Sequence, residues 1–413
     1  MSSKNLSLSV LLLSAFIDYA GIAIVFTLFA FLLFDPSLHF LPADTSETVR
    51  GVWLGLLIAL HPLMQFFSAP IFGAASDRKG RKKVLVGSLW LCIAGYLLAV
   101  IGVHMQSIFL LALYRILVGI GAGNSSVIAA MTADLSTPED KGKNFGLLSM
   151  SMGAGFIVAP FLSSLLSKHF GYIVPFYFPL LLVIANLLLV VWKLKETKHV
   201  LEEGKLGLFR ALTLMRRAFE MKSIRFVFLA HLLFSVGWSF FIEFIALFLR
   251  KQFDFDASDT GIFYGYGAVF YALSAGFLVF PMMRWIGASR TLFLGHFMSG
   301  LGIIAMLFIH SRFVLWLYVP IAQMFLSFIY PATSTVISNA TSEKAQGEAL
   351  GISHAVNALA LGVSPFFVGT FVGPHPSAAV LVGGGMMLIA SLVFGLFHYR
   401  RSQIEKPLVR ELN

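Results

Sequence analysis

The stretch G-A-A-S-D-R-K-G-R-K-K-V-L, residues Gly73–Leu85, sets five basic side chains (Arg78, Lys79, Arg81, Lys82, Lys83) among thirteen positions. About twenty mostly apolar residues flank it on each side, a length that spans a bilayer as helix. A cationic knot between two such segments is a short loop that stays on one side of the membrane. By the positive-inside rule that side is the cytoplasm.

Composition points the same way. The 413 residues are 58% hydrophobic and only 12% charged, with 42 Phe. Soluble domains average about 45–50% apolar and 25% charged, so the chain reads as an integral membrane protein. A single cysteine, Cys92, excludes an internal disulfide framework and a multi-cysteine metal site. The net charge of +10 would suggest nucleic acid for a soluble chain, but here it follows membrane topology. No cleavable signal peptide is evident, since the first apolar run is long enough to span.

Twelve apolar runs are legible, near 6–34, 51–75, 84–103, 107–133, 144–167, 172–194, 225–249, 259–283, 291–309, 313–339, 346–372 and 377–398. They lack the alternation of barrel strands, and helices satisfy their own backbone in lipid. With Gly73–Leu85 cytoplasmic, 24 Lys and Arg fall on the cytoplasmic side and 5 on the other. Both termini are therefore expected in the cytoplasm. The expected domains are a six-helix bundle over 1–194, a linker over 195–224, a second six-helix bundle over 225–398 and a cytoplasmic tail over 399–413. In the linker Leu208, Phe209, Leu212, Met215 and Phe219 share one helical face, predicting an amphipathic helix on the anionic inner surface. The halves repeat weakly, as Gly142, Gly146 and Pro160 recur as Gly347, Gly351 and Pro365. The fold class is therefore all-α, with twelve transmembrane helices in two six-helix pseudo-repeats.

Ionisable residues within spans are costly and mark function. Asp18 lies about 18 Å into the first span, and Arg115 lies at a matching depth in the fourth, at ~1.5 Å per residue. A carboxylate and a guanidinium at one depth suggest either a proton-coupling switch, with separation letting Asp18 take up a proton, or a static pair locking two helices. Glu243, near the outer end of the seventh span, is either a second proton or cation site or an outer-rim gate. His61, His231, His296 and His354 read more simply as packing residues. Gln65, Asn124, Gln323 and Asn357, with Trp238, Tyr264 and Tyr330, are candidate substrate contacts or interhelical hydrogen-bonders. No HExxH, GxSxG, phosphate-loop or cysteine/histidine metal pattern occurs, so no enzyme activity, metal or cofactor is expected.

Gly73, Asp77, Arg78, Gly80, Arg81 and Lys82 match the loop signature between helices two and three of the major facilitator superfamily. The chain resembles that superfamily's drug:proton antiporter group, and most closely its tetracycline-exporter branch. The likeness is carried by Leu56–Leu85 and by Tyr114–Leu148, which includes R-I-L-V-G-I-G-A-G, Ala133-Asp134 and Asn144-Phe145-Gly146. It implies a major facilitator fold with the transport site between the halves near midplane. It also implies a charge network of Asp77, Arg81 and Asp134 at the cytoplasmic mouth, and identifies Asp18 and Arg115 with the group's first-helix aspartate and fourth-helix arginine. The group's fifth-helix signature, whose core reads G-P-x-x-G-G, stands here as Ala159-Pro160-Phe161-Leu162-Ser163-Ser164, which keeps only Pro160 and small side chains, with Gly155 before it. This departure keeps import as an alternative to export. The branch's eighth-helix His and ninth-helix Asp align with Tyr271 and Ser299, so tetracycline itself is not the expected substrate.

The expected function is a proton-coupled secondary transporter of the bacterial inner membrane, working as a monomer. It would export a small amphipathic solute, a drug or a metabolite such as a siderophore. Its partners are that solute, protons and the lipid bilayer, with no nucleic acid. Import of a nutrient or organic acid, with Arg115 as anion anchor, is the alternative, and a non-transporting receptor or scaffold is a third.

Overall fold

The computed structural model describes residues 3–35, 37–137, 140–198, 224–340 and 343–410, which form helices joined by loops, with no strand among them. In the first half α1 is Ser3–Phe34, α2 Glu47–Lys79, α3 Arg81–His104, α4 Ile108–Gly121, α5 Ser125–Asp134, α6 Lys141–Phe170 and α7 Val174–Lys193. After the linker come α8 Arg225–Phe253, α9 Ala257–Phe277, α10 Val279–Ile286 and α11 Ala288–Ala305. The chain ends with α12 Arg312–Ser327, α13 Ile329–Asn339, α14 Glu343–Val372 and α15 Ser377–Arg410.

Ten helical stretches are long and apolar enough to cross a bilayer, or eleven if α9 and α10, bent by 46°, are one span. The remaining apolar run, at 346–372, is helical as α14, with Val356–Phe367 as its described apolar part. Residues 199–223, which hold the expected amphipathic helix, lie outside the described residues. Helix α15 continues through most of the expected tail to Arg410.

Local chemistry sets the boundaries. Ser46 caps α2 by accepting from the Val49 amide, and Ser107 caps α4 by accepting from Leu110. Between α2 and α3 the chain turns on Gly80, whose φ of +93° only glycine adopts without strain. The fourth apolar run is interrupted at Gly119–Gly123, where low helix propensity lets Ala122–Asn124 tighten into a 3-10 turn.

Two compact units form. The first comprises Met1–Ala211, Asp254–Gly265 and Pro365–Pro374, and the second Leu212–Phe253, Tyr266–Ser364 and His375–Asn413. Within the first, α1 packs chiefly along α6, with α3 against α4 and α7. Helix α6 approaches α1 at Gly155, where a β-carbon would press on the Phe16 carbonyl and stand 3.0 Å from the Ala20 nitrogen. The Ser164 hydroxyl donates to the Ser258 carbonyl at 2.9 Å, tying the start of α9 into this unit. Cys92 is buried against Gly121 where α3 crosses α4. Within the second unit α8 and α11 both pack on α15, with Gly237 and Gly300 close to Gly383 and Gly384. Bulky apolar residues such as Phe109, Trp192 and Phe313 remain exposed on the helix exteriors, the surface a lipid solvent requires.

The glycine contact gives a direct test. Gly155→Val should overpack the α1–α6 crossing at a cost of about 1–3 kcal/mol, read as a lower thermal midpoint in detergent. Gly153→Val, on the same helix but with open space around the new β-carbon, should leave the midpoint nearly unchanged.

Candidate functional site

The interior of the first unit brings several sequence candidates together. Asp18 on α1 is buried, and its carboxyl lies within hydrogen-bonding reach of the Asn124 side chain. Asn124 stands in the 3-10 turn that interrupts the fourth run and donates to the Ser88 hydroxyl at 3.0 Å. The Ala122 carbonyl in that turn accepts from Gln65 Nε2 at 3.2 Å as well as from the Ser125 amide. Asp18, Gln65 and Asn124 therefore converge on one irregular piece of backbone.

Arg115 is fully buried one helical segment away. Its Nε donates to the Leu57 carbonyl at 2.8 Å and its Nη2 to the Ile58 carbonyl at 3.2 Å. Ile58 is four residues before Pro62, which has no N–H, so helix α2 leaves that carbonyl without its own donor. The guanidinium fills the vacancy and lies 5.9 Å from the Phe29 ring centre and 5.8 Å from that of Tyr114. This corrects the expected Asp18–Arg115 pair, because no ion pair among the described residues joins them. Tyr96 stands between the two instead. Its hydroxyl reaches Gly21, one turn along α1 from Asp18, and its ring lies 5.5 Å from that of Tyr114. Neither that hydroxyl nor Asp18 Oδ2 has a hydrogen-bond partner among the described residues.

A second constellation surrounds the α2–α3 turn. Arg81 pairs with Asp77 at 3.3 Å and with Asp134, at the end of α5, at 2.5 Å, while Lys198 reaches Asp77 at 3.5 Å. Thr197 donates to the Asp134 carboxylate at 2.8 Å. Arg78 is exposed and joins none of these pairs, and Gly73 lies on Ser126. Sequence reasoning missed the residue that organises this turn, Glu196. Its two carboxylate oxygens accept the amides of Arg81 and Lys82, each at 3.0 Å, so it caps α3 from the far end of α7. A β-carbon at position 80 would stand 2.7 Å from the same carboxylate. The signal lies in the Lys-Glu-Thr-Lys run after the sixth apolar segment, whose lysines enter the topology count while its acid does not.

The other candidates are dispersed. Glu243 is buried in α8, where its Oε2 accepts from the Ser239 hydroxyl at 2.7 Å, and Ser239 shares a hydrogen bond with Ser364. Tyr330 donates to Asn357 Oδ1 at 3.0 Å, and its ring meets those of His231 and Phe234. His296 packs on Phe234, Trp238 on Phe241, and Gln323 lies against Gly267. Tyr264 belongs to the first unit, packed on Phe263, and Pro160 lies on α6 beside Gly261. The His354 side chain lies outside the described ones.

A family model described as Major Facilitator Superfamily matches residues 11–320 and 227–412. The chain is 27% identical over 400 residues to a tetracycline resistance protein, class C, of Escherichia coli, covering 94% of this chain and 96% of that one. It is 25% identical to multidrug resistance protein 1 of Bacillus subtilis, with 90% of each covered. To the quinolone resistance protein NorA of Staphylococcus aureus it is 23% identical, over 97% of this chain and 99% of the relative. Among solved structures, the human organic anion transporter MFSD10 (TETRAN) aligns with a TM-score of 0.69 at 19% identity, over 95% of this chain and all of that one. A D-xylose–proton symporter aligns at 0.74 and 16% identity, over 94% and 96%. At these identities the structural matches bear on the fold alone.

Two outcomes test the geometry. Arg115→Met should cost about 1–3 kcal/mol by stranding the Ile58 carbonyl, and the loss of thermal midpoint should shrink in a Pro62→Ala background, where the restored N–H serves Ile58. Equal losses in both backgrounds would show that the guanidinium does not replace the missing donor. Glu196→Ala should cost about 1 kcal/mol as a lost cap and raise hydrogen exchange over residues 81–84, while exchange within α5 stays nearly constant.

Proposed function

The chain belongs to the Major Facilitator Superfamily and is a multi-pass membrane transporter of small molecules rather than an enzyme, and from that membership we propose that it is a proton-coupled exporter of amphipathic organic solutes. The observation that carries the proposal is Asp18. It is a carboxyl buried in an apolar helix that faces a neutral amide, Asn124, and has no ion-pair partner among the described residues. A bare carboxylate in such surroundings is costly, so its charge must be cancelled by a proton or by a cationic or hydrogen-bonding solute. Competition between the two for one carboxyl is the elementary requirement of exchange: solute binding displaces a proton, and solute departure readmits one.

The remaining assignments rest on the same reading. Gln65 and Asn124 position Asp18 and contact solute, with Tyr264 as a further contact in that unit. Trp238, Gln323, Tyr330 and Asn357 supply aromatic and amide contacts from the second unit, with Glu243 as its buried acid. Gly73, Asp77, Arg78, Gly80, Arg81 and Asp134 form a cytoplasmic gate, and Gly155 and Pro160 set the path of the fifth span. We take the architecture as twelve spans in two six-helix repeats, with the linker at 195–224. The protein would be a monomer in the bacterial inner membrane with both termini cytoplasmic. The relatives' efflux names support outward transport. Two of the Arg115 donors are engaged by backbone carbonyls, which weighs against Arg115 as an anion anchor, while the altered fifth-helix signature still leaves import as the second reading.

The test uses inverted membrane vesicles and ethidium, an amphipathic cation. Wild-type vesicles should accumulate the dye when a proton gradient is imposed and release it on uncoupling. Asp18→Asn should reduce gradient-driven accumulation by at least about tenfold, as expected when the group taking the proton is removed, with the protein still present and folded in the membrane. Undiminished coupling in that variant would refute the assignment.

A further inference from the structure

On the outside of the first unit, away from every residue discussed above as a transport contact, α3 and α7 leave a groove of about 330 Å³. Its walls are Trp90 and Ile93 from α3 and Ile184, Leu187, Leu188 and Val191 from α7. Trp90 is 59% exposed and Leu188 45%, so the groove opens outward rather than into the bundle. One end is fixed by the ends of both helices, for Lys82 Nζ donates to the Val191 carbonyl at 2.8 Å and Glu196 caps the first turn of α3. From Val191 to Ile184 the groove runs about 10 Å at ~1.5 Å per residue, which falls within one leaflet of a ~30 Å hydrocarbon core.

The closed end of this apolar slot is strongly basic. Lys83 lies two turns before Trp90 on the same exposed stripe of α3, while Lys193 and Lys195 follow Val191 directly and are exposed. None of the three has an ion pair or side-chain hydrogen bond among the described residues. Among the described residues the nearby acids form no ion pair with them: Glu196 accepts the amides of Arg81, Lys82, Thr197 and Lys198, and Asp77 is held by Arg81 and Lys198. Exposed Trp192 stands at the same level, where an indole suits the boundary between hydrocarbon and headgroups.

We propose that this groove is a binding site for an anionic glycerophospholipid, one acyl chain lying along Trp90 and Leu188 and the phosphate held by Lys83, Lys193 and Lys195. The occupant follows from the charge pattern. A zwitterionic lipid would fill the slot but gain little from three ammonium groups that no described acid pairs, whereas a net negative headgroup next to basic residues at the membrane surface is attracted by each of them. The long lysine stems can pack on apolar surface while their charged ends stay at headgroup level. The site depends on neither the transported solute nor proton coupling.

The full-length protein reconstituted in phosphatidylcholine vesicles provides the test. Increasing fractions of phosphatidylglycerol with brominated chains are added, and in parallel phosphatidylcholine with the same chains. Quenching of the Trp90 emission is taken as the difference between wild type and Trp90→Phe. Half-maximal quenching should need at least about threefold less brominated phosphatidylglycerol than brominated phosphatidylcholine, in line with the pull of several lysines on one anionic headgroup. The triple variant Lys83→Gln, Lys193→Gln, Lys195→Gln should bring the two lipids to equal potency, and the matching triple arginine variant should keep the preference. Equal potency in wild type would mean that any lipid fills the groove, and a preference that survives the glutamine variant would place the headgroup elsewhere. Either result overturns the proposal, as does a Trp90 emission that neither lipid quenches.

Discussion

Inside lipid, a backbone carbonyl that loses its helical donor has no water to turn to, and the interior of the first unit is arranged around that rule. Pro62 withholds an N–H from Ile58, and Arg115 supplies one from a neighbouring helix. In the glycine-rich interruption after α4 the Ala122 carbonyl takes the Ser125 amide, and Gln65 adds a second donor to it from α2. These contacts hold the cationic and polar side chains of the core in fixed places. They also explain why Arg115 is not spent on Asp18. The guanidinium spends two of its donors on carbonyls and lies beside two aromatic rings, and the Asp18 carboxyl faces an amide.

The same economy governs the turn between α2 and α3. A loop of five cations would repel itself, yet Arg81 is shared between Asp77 and Asp134, and the first amides of α3 are taken by a carboxylate from beyond α7. The positive glycine dihedral at position 80 is what lets that carboxylate come so near. Geometry, charge and chain direction are settled there by one small residue and one acid more than a hundred positions apart.

Much of this was legible in the sequence, because bilayer length and backbone satisfaction leave few alternatives to the pattern of apolar runs. The helices at α1 through α7 fall where the runs lie, and Asp18, Asn124, Gln65 and Arg115 were all singled out by being polar within them. Depth along a helix could be counted, but azimuth could not. Two residues at one depth can face different neighbours, and so the Asp18–Arg115 pairing failed while both residues proved buried. Proline gave a usable sign that was not followed: a missing N–H at Pro62 implies an open carbonyl at Ile58 and hence a donor nearby. Glu196 was harder to see, since its role depends on α7 ending beside the start of α3, a proximity that no local pattern encodes.

The sole cysteine offers a practical dividend. Cys92 lies in the interior with its sulfur pressed on Gly121, out of reach of water-soluble maleimides. The unaltered chain can thus serve as its own background for thiol labelling. A single cysteine introduced on a loop or at a helix end would report its surroundings with no competing signal, and the native thiol need not be removed from a crossing where its volume is required.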